Sequence, residues 1–296
     1  MTISRTLLAV LGCAALTVQA ENLLFNGSFE LDDAGIALNG KLRPDTNPEL
    51  KMIPLVFEKN GTGTNLLLNN PHSEEKIKTE HDLIQTIPVL LEEPFLKTGD
   101  TLVCFGDSLT ARREGYFKYL QEALEPRGIA MINAGVSGDK TPAALTRLER
   151  DVLAHKPTAV SLFFGTNDAV HGHGRWAHEP CISWQTLRDN LKWMIHICRI
   201  SGIRKFSINV LPGENEGSAL AEYGPRYNHI MATRLAAEET GALLVPLDYI
   251  FREGAKLHES ERNANGLYYT CDGMHHTPET ARLIAQTMLH IWNMEN

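Results

Sequence analysis

The sequence predicts an α/β protein: a parallel sheet covered on both faces by helices, preceded by a small β-rich N-terminal extension. Three observations predict it. Five short, mostly apolar runs lie in the C-terminal two thirds of the chain: Thr101–Phe105, Ile129–Asn133, Ala159–Phe164, Lys205–Val210 and Ala242–Pro246. Helical patterns lie between them. The runs are apolar nearly throughout rather than alternating, as strands buried on both sides must be. Sheets of this kind bind ligands beyond the carboxyl ends of their strands, so the chemistry is expected just after the runs.

Taken in order, residues 1–20 read as a secretory signal peptide. Arg5 precedes an apolar run from Leu7 to Val18, broken only by Gly12 and Thr17, and Val18-Gln19-Ala20 supplies small residues for cleavage after Ala20. The run is shorter than the roughly 20 apolar residues that span a bilayer, so no transmembrane segment is expected. An uncleaved N-terminal anchor and a lipoprotein site at Cys13 are the competing readings. Cleavage would leave Cys104, Cys181, Cys198 and Cys271. Four cysteines in an oxidising compartment allow three disulfide pairings, and free buried thiols are the alternative.

Residues 21–98 are rich in Asn, Gly and Pro, with short apolar bursts such as Leu55-Val56-Phe57 and Leu66-Leu67-Leu68. This punctuation predicts short strands and turns, with a weak helical period only around Glu74–Leu83. The boundary with the next region falls near Lys97-Thr98-Gly99. So small a segment rarely forms its own core and is expected to pack on the larger C-terminal region. Its opening, Asn22 to Glu30, resembles the first strand of the β-sandwich carbohydrate-binding modules of secreted glycan enzymes. A plain extension covering the catalytic domain is the other reading. Asn26-Gly27-Ser28 and Asn60-Gly61-Thr62 fit the glycosylation acceptor pattern, which matters only in a eukaryotic host.

Residues 99–296 carry the strand and helix alternation. Trp184, Leu187, Leu191, Ile195 and Cys198 recur every three or four positions within Ser183–Ser201, and Gly202 ends that helix. Leu145, Leu148 and Val152 repeat the spacing. The last helix opens with Thr277 as N-cap and Pro278 in the first turn, with Ile284, Met288 and Ile291 facing inward.

Composition narrows the function classes. The 296 residues are 43% hydrophobic and 22% charged, which excludes wholesale disorder and a coiled coil. Asp and Glu total 36 against 28 Lys and Arg, a net charge of −8. An acidic chain lacks the basic footprint of a general nucleic-acid binder.

Four polar clusters sit where the chemistry is expected. Gly106-Asp107-Ser108-Leu109-Thr110 follows the first run, Asn133-Ala134-Gly135-Val136-Ser137-Gly138 the second, and Gly165-Thr166-Asn167-Asp168 the third. Asp272-Gly273-Met274-His275 precedes the last helix. A serine at a strand-to-helix turn exposes its hydroxyl, but needs a base at neutral pH. His275 is the candidate base, preferred over His276 because Asp272 stands three residues before it and can orient its ring. The amides of Ser108 and Gly135 and the side chain of Asn167 can receive the developing oxyanion. Losing one such donor costs about 2.7–4 kcal/mol of transition-state stabilisation. The alternatives are structural: Ser108 or Asn167 as helix caps, Gly135 as a turn residue. Asp107 and Asp168 are expected to hold loops by accepting backbone hydrogen bonds.

The four clusters resemble blocks I, II, III and V of the SGNH hydrolases, also called the GDSL esterase/lipase family. They occur in the family's order within residues 99–296. The resemblance implies a flavodoxin-like three-layer α/β/α sandwich with a five-stranded parallel sheet. It also implies Ser108 as nucleophile, Asp272 and His275 as its partners, and Ser108, Gly135 and Asn167 as oxyanion donors, with no metal or organic cofactor. Together with the leader and the sandwich-like strand, it points to a secreted or periplasmic carbohydrate O-acetylesterase. The substrate would be a small-molecule or polysaccharide ester.

Some features depart from the pattern. Arg112, followed by Arg113, stands where many members carry glycine. It either binds an anionic or polyhydroxylated substrate or is a solvated helix-start residue. His171, His173 and His178 look metal-like, but no carboxylate or cysteine set completes a site. Trp176 either stacks on a sugar ring or packs. The family also holds lysophospholipases, lipases and thioesterases for longer acyl chains. A non-catalytic glycan binder and an acyltransferase are the other functional classes. A serine esterase would need neutral His275, so activity should fall through the range in which imidazole protonates, about 6.5 for the free side chain.

Overall fold

The chain divides into two compact units, Met1–Lys76 and Ile77–Asn296. The computed structural model describes residues 58–59, 62–63, 77–170, 178–212, 216–217 and 226–295. In the first unit the described residues form one antiparallel pair, β1 (Glu58–Lys59) with β2 (Thr62–Gly63), in which Glu58 faces Gly63. The expected signal peptide, the Asn22–Glu30 strand and both sequon asparagines lie outside the described residues. So do His171, His173 and Trp176.

The apolar runs of the second unit become β3 (Thr101–Gly106), β4 (Ala130–Gly135), β5 (Ala159–Phe163), β6 (Lys205–Asn209) and β7 (Leu243–Val245). All pair in parallel, in the order β4-β3-β5-β6-β7. The chain therefore starts in the sheet interior, steps to one edge, and returns past its start. That reversal opens a crevice at the carboxyl ends of β3 and β5. The helices, in chain order, are α1 (Glu80–Gln85), α2 (Ser108–Ala111), α3 (Tyr116–Leu124), α4 (Thr141–Asp151), α5 (Trp184–Ile200), α6 (Tyr227–Thr240), α7 (Leu247–Leu257) and α8 (Pro278–Ile291).

Side chains leave each strand alternately toward the two helical layers. Val103, Phe105, Val160, Leu162, Phe206 and Ile208 share one core with Leu148 of α4, Leu187, Leu191 and Met194 of α5, and Ala232 and Ala236 of α6. On the other face Tyr116 of α3 meets Phe163, ring centroids 5.7 Å apart, and α8 packs along α3. Each fully buried Leu or Phe contributes about 1.5–3 kcal/mol. The three-layer sandwich and its five-stranded parallel sheet are thus those the sequence led us to expect.

Local signals set the helix ends. Ser183 caps α5 by accepting the Thr186 N–H at 3.1 Å. Thr277 caps α8 by accepting from the Thr280 N–H at 3.2 Å, with Pro278 in the first turn.

The second unit begins at Ile77, upstream of the boundary that composition placed near Gly99. The reason is apolar burial within a segment that reads as turn-rich. Leu83, Ile84, Ile87, Phe95 and Leu96 are all buried. Phe95 stacks on Trp292 with centroids 5.4 Å apart, and its N–H donates to the Trp292 carbonyl at 2.8 Å. His290 Nε2 donates to the Ile87 carbonyl at 2.7 Å. Cys104, Cys181, Cys198 and Cys271 are free thiols. Among the described residues no helix is long and apolar enough to cross a membrane.

Candidate active site

Ser108 stands where β3 turns sharply into α2. Gly106 permits the turn, since a Cβ there would meet Thr110 Oγ1 at 2.0 Å and the Phe163 carbonyl at 2.8 Å. Asp107 caps the short helix, its Oδ1 accepting the Leu109 N–H at 2.9 Å. Burial pushes the Asp107 carboxyl up to about 7, against the Leu109 bond, and the charge of Asp168 adds to the rise. The Ser108 N–H occupies the first helical position and makes no hydrogen bond to another described residue.

The loop before α8 brings its residues to that hydroxyl. His275 Nε2 lies 3.1 Å from Ser108 Oγ, and His275 Nδ1 lies 2.7 Å from Asp272 Oδ2. Asp272 Oδ1 also accepts the Met274 and His275 N–H groups at 3.0 and 2.7 Å. Burial alone would raise the Asp272 carboxyl, but the backbone and ring hydrogen bonds of His275, with that of Met274, hold it below the usual range. An ionised carboxylate only accepts, so Nδ1 carries the ring proton and Nε2 is left to accept from Ser108. His276 points elsewhere, into a buried place beside Phe251 with ring centroids 5.4 Å apart. Burial, reinforced by the charges of His275, Arg226 and Arg112, pushes its ring down to about 3.

The expected oxyanion donors separate into two groups. Asn167 is buried in the turn that follows β5, and its Nδ2 donates one hydrogen to the Asp139 carbonyl at 3.0 Å. A second amide hydrogen remains. Gly135 does different work. Its N–H donates to Asn133 Oδ1 at 2.9 Å, and a Cβ there would meet the Ala111 nitrogen at 2.2 Å. It is glycine so that β4 can press against α2, and its amide is already committed. Asn133 completes that junction by donating to the Thr110 carbonyl at 2.8 Å. Gly138 instead has a free amide: it adopts φ +76°, precedes Asp139, and its N–H makes no hydrogen bond to another described residue.

One supporting residue, Arg147, was not singled out from the sequence, whereas Asp168 and Arg112 were. Arg147 of α4 is buried and donates to Asp139 at 2.6 Å, to the Ala134 carbonyl at 2.8 Å and to the Gly106 carbonyl at 2.9 Å. It ties the carboxyl ends of β3 and β4 to the turn bearing Gly138. In sequence it reads as one more exposed helical arginine. Asp168 accepts the Thr141 N–H at 3.2 Å and its hydroxyl, anchoring the start of α4 beside Asn167. Arg112 reaches from the Ser108 turn to Cys271 Sγ at 3.2 Å, next to Asp272. Among the described residues no group of three His, Cys, Asp or Glu could hold a metal ion, and His178 is exposed.

This arrangement sits within a recognisable set of proteins. Residues 104–283 match the model of the GDSL-like lipase/acylhydrolase family. An acetylxylan esterase of Geobacillus stearothermophilus is 37% identical over 180 residues, spanning 54% of this chain and 81% of that protein. An uncharacterized lipoprotein of Bacillus subtilis, YqeF, is 28% identical over 215 residues, spanning 62% of this chain and 86% of that protein. The crystal structure of the acetyl xylan esterase AlAXEase superposes with a TM-score of 0.54 at 25% identity, covering 64% of this chain and 97% of that one.

Proposed function

Since the chain belongs to the GDSL-like lipase/acylhydrolase family and is a carboxylic ester hydrolase, we propose that it removes O-acetyl groups from a glycan by two-step acyl transfer through Ser108. The observation that carries this reading is the unbroken line from Asp272 through His275 to Ser108, with hydrogen bonds of 2.7 and 3.1 Å. Ser108 Oγ attacks the ester carbonyl while His275 Nε2 takes the hydroxyl proton. Asp272 stabilises the imidazolium that forms. The oxyanion rests on the Ser108 and Gly138 N–H groups and on the remaining Asn167 amide hydrogen, with Gly135 left out because its amide is bonded to Asn133. The imidazolium then protonates the leaving alcohol, the Ser108–acetyl ester forms, and water activated by His275 hydrolyses it.

The acetyl-glycan substrate is supported by the acetylxylan esterase relative. Export is supported by the character of residues 1–20. The test is a p-nitrophenyl ester series from acetate to octanoate, with acetate release from acetylated xylan and other acetylated glycans. Acetate should be preferred, and Ser108→Ala should lose both activities. A preference for octanoate with no acetate released from any glycan would overturn the substrate class. Wild-type turnover by Ser108→Ala would overturn the nucleophile.

A further inference from the structure

Glu216 is a buried carboxylate that the acyl-transfer steps do not use. Its oxygens accept from one loop: the Tyr268 N–H at 3.2 Å, the Thr270 N–H at 2.7 Å and the Thr270 hydroxyl at 2.7 Å. Its own N–H donates to the Gly273 carbonyl at 2.9 Å. Thr270 Oγ1 in turn accepts the Gly273 N–H at 3.0 Å. The next residue, Gly217, has φ +56°, and a Cβ there would meet the Asn265 carbonyl at 2.5 Å and Leu267 at 3.0 Å. Glu216 and Gly217 are therefore pressed against the backbone from Asn265 to Gly273. That stretch ends beside Asp272.

The hydrogen bonds around Asp272 are local. They bind it to Met274 and His275 and make Asp272 and His275 one rigid piece. They do not fix where that piece stands relative to Ser108, which lies 167 positions away in sequence. Glu216 adds ties from outside the loop, from the segment that follows β6. It grips the loop on the N-terminal side of Asp272, while its backbone N–H holds Gly273 on the other side. Oε2 accepts from all three donors and Oε1 shares the Tyr268 N–H, so an amide in its place would turn an NH2 group toward one of these donors.

We propose that Glu216 is a positioning residue that sets the His275 ring within hydrogen-bond reach of Ser108. The proposal rests on the assignment of Ser108, His275 and Asp272 as the acyl-transfer triad. A small misplacement of a base costs turnover far more than it costs substrate binding.

The test compares wild type with Glu216→Gln, Thr270→Val and the double variant, using p-nitrophenyl acetate kinetics and the rate at which a fluorophosphonate labels Ser108. Circular dichroism verifies folding. In folded Glu216→Gln, kcat should fall about tenfold or more with KM within about twofold, and labelling should slow by a similar factor. Thr270→Val removes the hydroxyl that donates to Glu216 and accepts from Gly273, at nearly constant shape, and should lower kcat about threefold at unchanged KM. The double variant should fall short of the product of the two effects, because both break one network. Wild-type kcat in folded Glu216→Gln, or a loss carried by KM alone, overturns the proposal. If Glu216→Gln does not fold, Thr270→Val decides by the same criteria. A wild-type protein that the probe does not label would overturn the triad reading itself. Labelled wild type with equally reactive variants overturns only the role of Glu216.

Discussion

The Arg147 guanidinium donates to the Gly106 carbonyl at 2.9 Å, joining helix α4 to the last residue of β3, two positions before Ser108. The same group reaches the Ala134 carbonyl and Asp139, and lies 4.4 Å from the centre of the Phe105 ring. Removing it would leave the buried Asp139 carboxylate without its ion-pair partner. Arg147→Met should therefore lower unfolding free energy by about 3–5 kcal/mol. Arg147→Lys should recover little, because an ammonium cannot replace a planar fork that serves four acceptors, Asp151 at 3.0 Å among them. Urea denaturation checks both. A loss below about 1 kcal/mol in Arg147→Met would show that the network is not a structural tie.

Asn167 offers a sharper kinetic test. One of its amide hydrogens is held by the Asp139 carbonyl, which fixes the side chain and, in the proposed mechanism, leaves the other hydrogen for the substrate oxygen. Asn167→Ala should lower kcat about 10²- to 10³-fold, with a much smaller change in KM, because the lost bond strengthens only as charge develops. Steady-state kinetics on p-nitrophenyl acetate measure this. A change confined to KM would mean that Asn167 binds ground-state substrate and nothing more.

Gly135 should respond in a different currency. A methyl group there would sit 2.2 Å from the Ala111 nitrogen and 2.7 Å from the Thr110 carbonyl carbon, both backbone atoms that cannot rotate away. Gly135→Ala should therefore lose thermal stability and disturb α2, reducing activity as a consequence. Thermal melts and kinetics on one preparation separate the cases. A variant with unchanged melting temperature but deficient kcat would return Gly135 to the oxyanion site.

These glycines also show where the sequence stops being legible. The strands were readable because Leu102 to Phe105 and Ala159 to Phe163 are apolar on both faces, a pattern that only a covered sheet tolerates. The proposed triad was readable because Ser108 and His275 are chemically distinctive and sit at element boundaries. Gly135 and Gly138 look alike in sequence, and only coordinates reveal which N–H is already bonded. Arg147 occupies a position in α4 that could equally be solvated, and its acceptors come from two strands, a turn and α4 itself. Glu216 stands near no periodic element, so its link to Tyr268 and Thr270 left no sequence signal. Phe95 hid in a Pro-containing segment, and its partner Trp292 lies almost two hundred residues later.

His276, next to the proposed base, allows the titration of the fold to be separated from that of the reaction. Its buried ring is held down to about 3, against 6.5 as the reference value. Above 6.5 the ring is neutral in both folded and unfolded chains and contributes no pH dependence. Between 6.5 and about 3 the unfolded chain binds the proton and the folded chain does not, so unfolding free energy falls as pH drops. Below about 3 both states are protonated and the effect levels off. His276→Phe keeps an aromatic ring against Phe251 and removes the titrating group. The variant should lose less stability than wild type between pH 7 and pH 4, as read from urea midpoints across that range. Its turnover near pH 7.5 should stay within a few fold of wild type, whereas His275→Phe should be nearly inactive. Parallel stability curves for wild type and His276→Phe would mean that the buried imidazole does not drive acid unfolding.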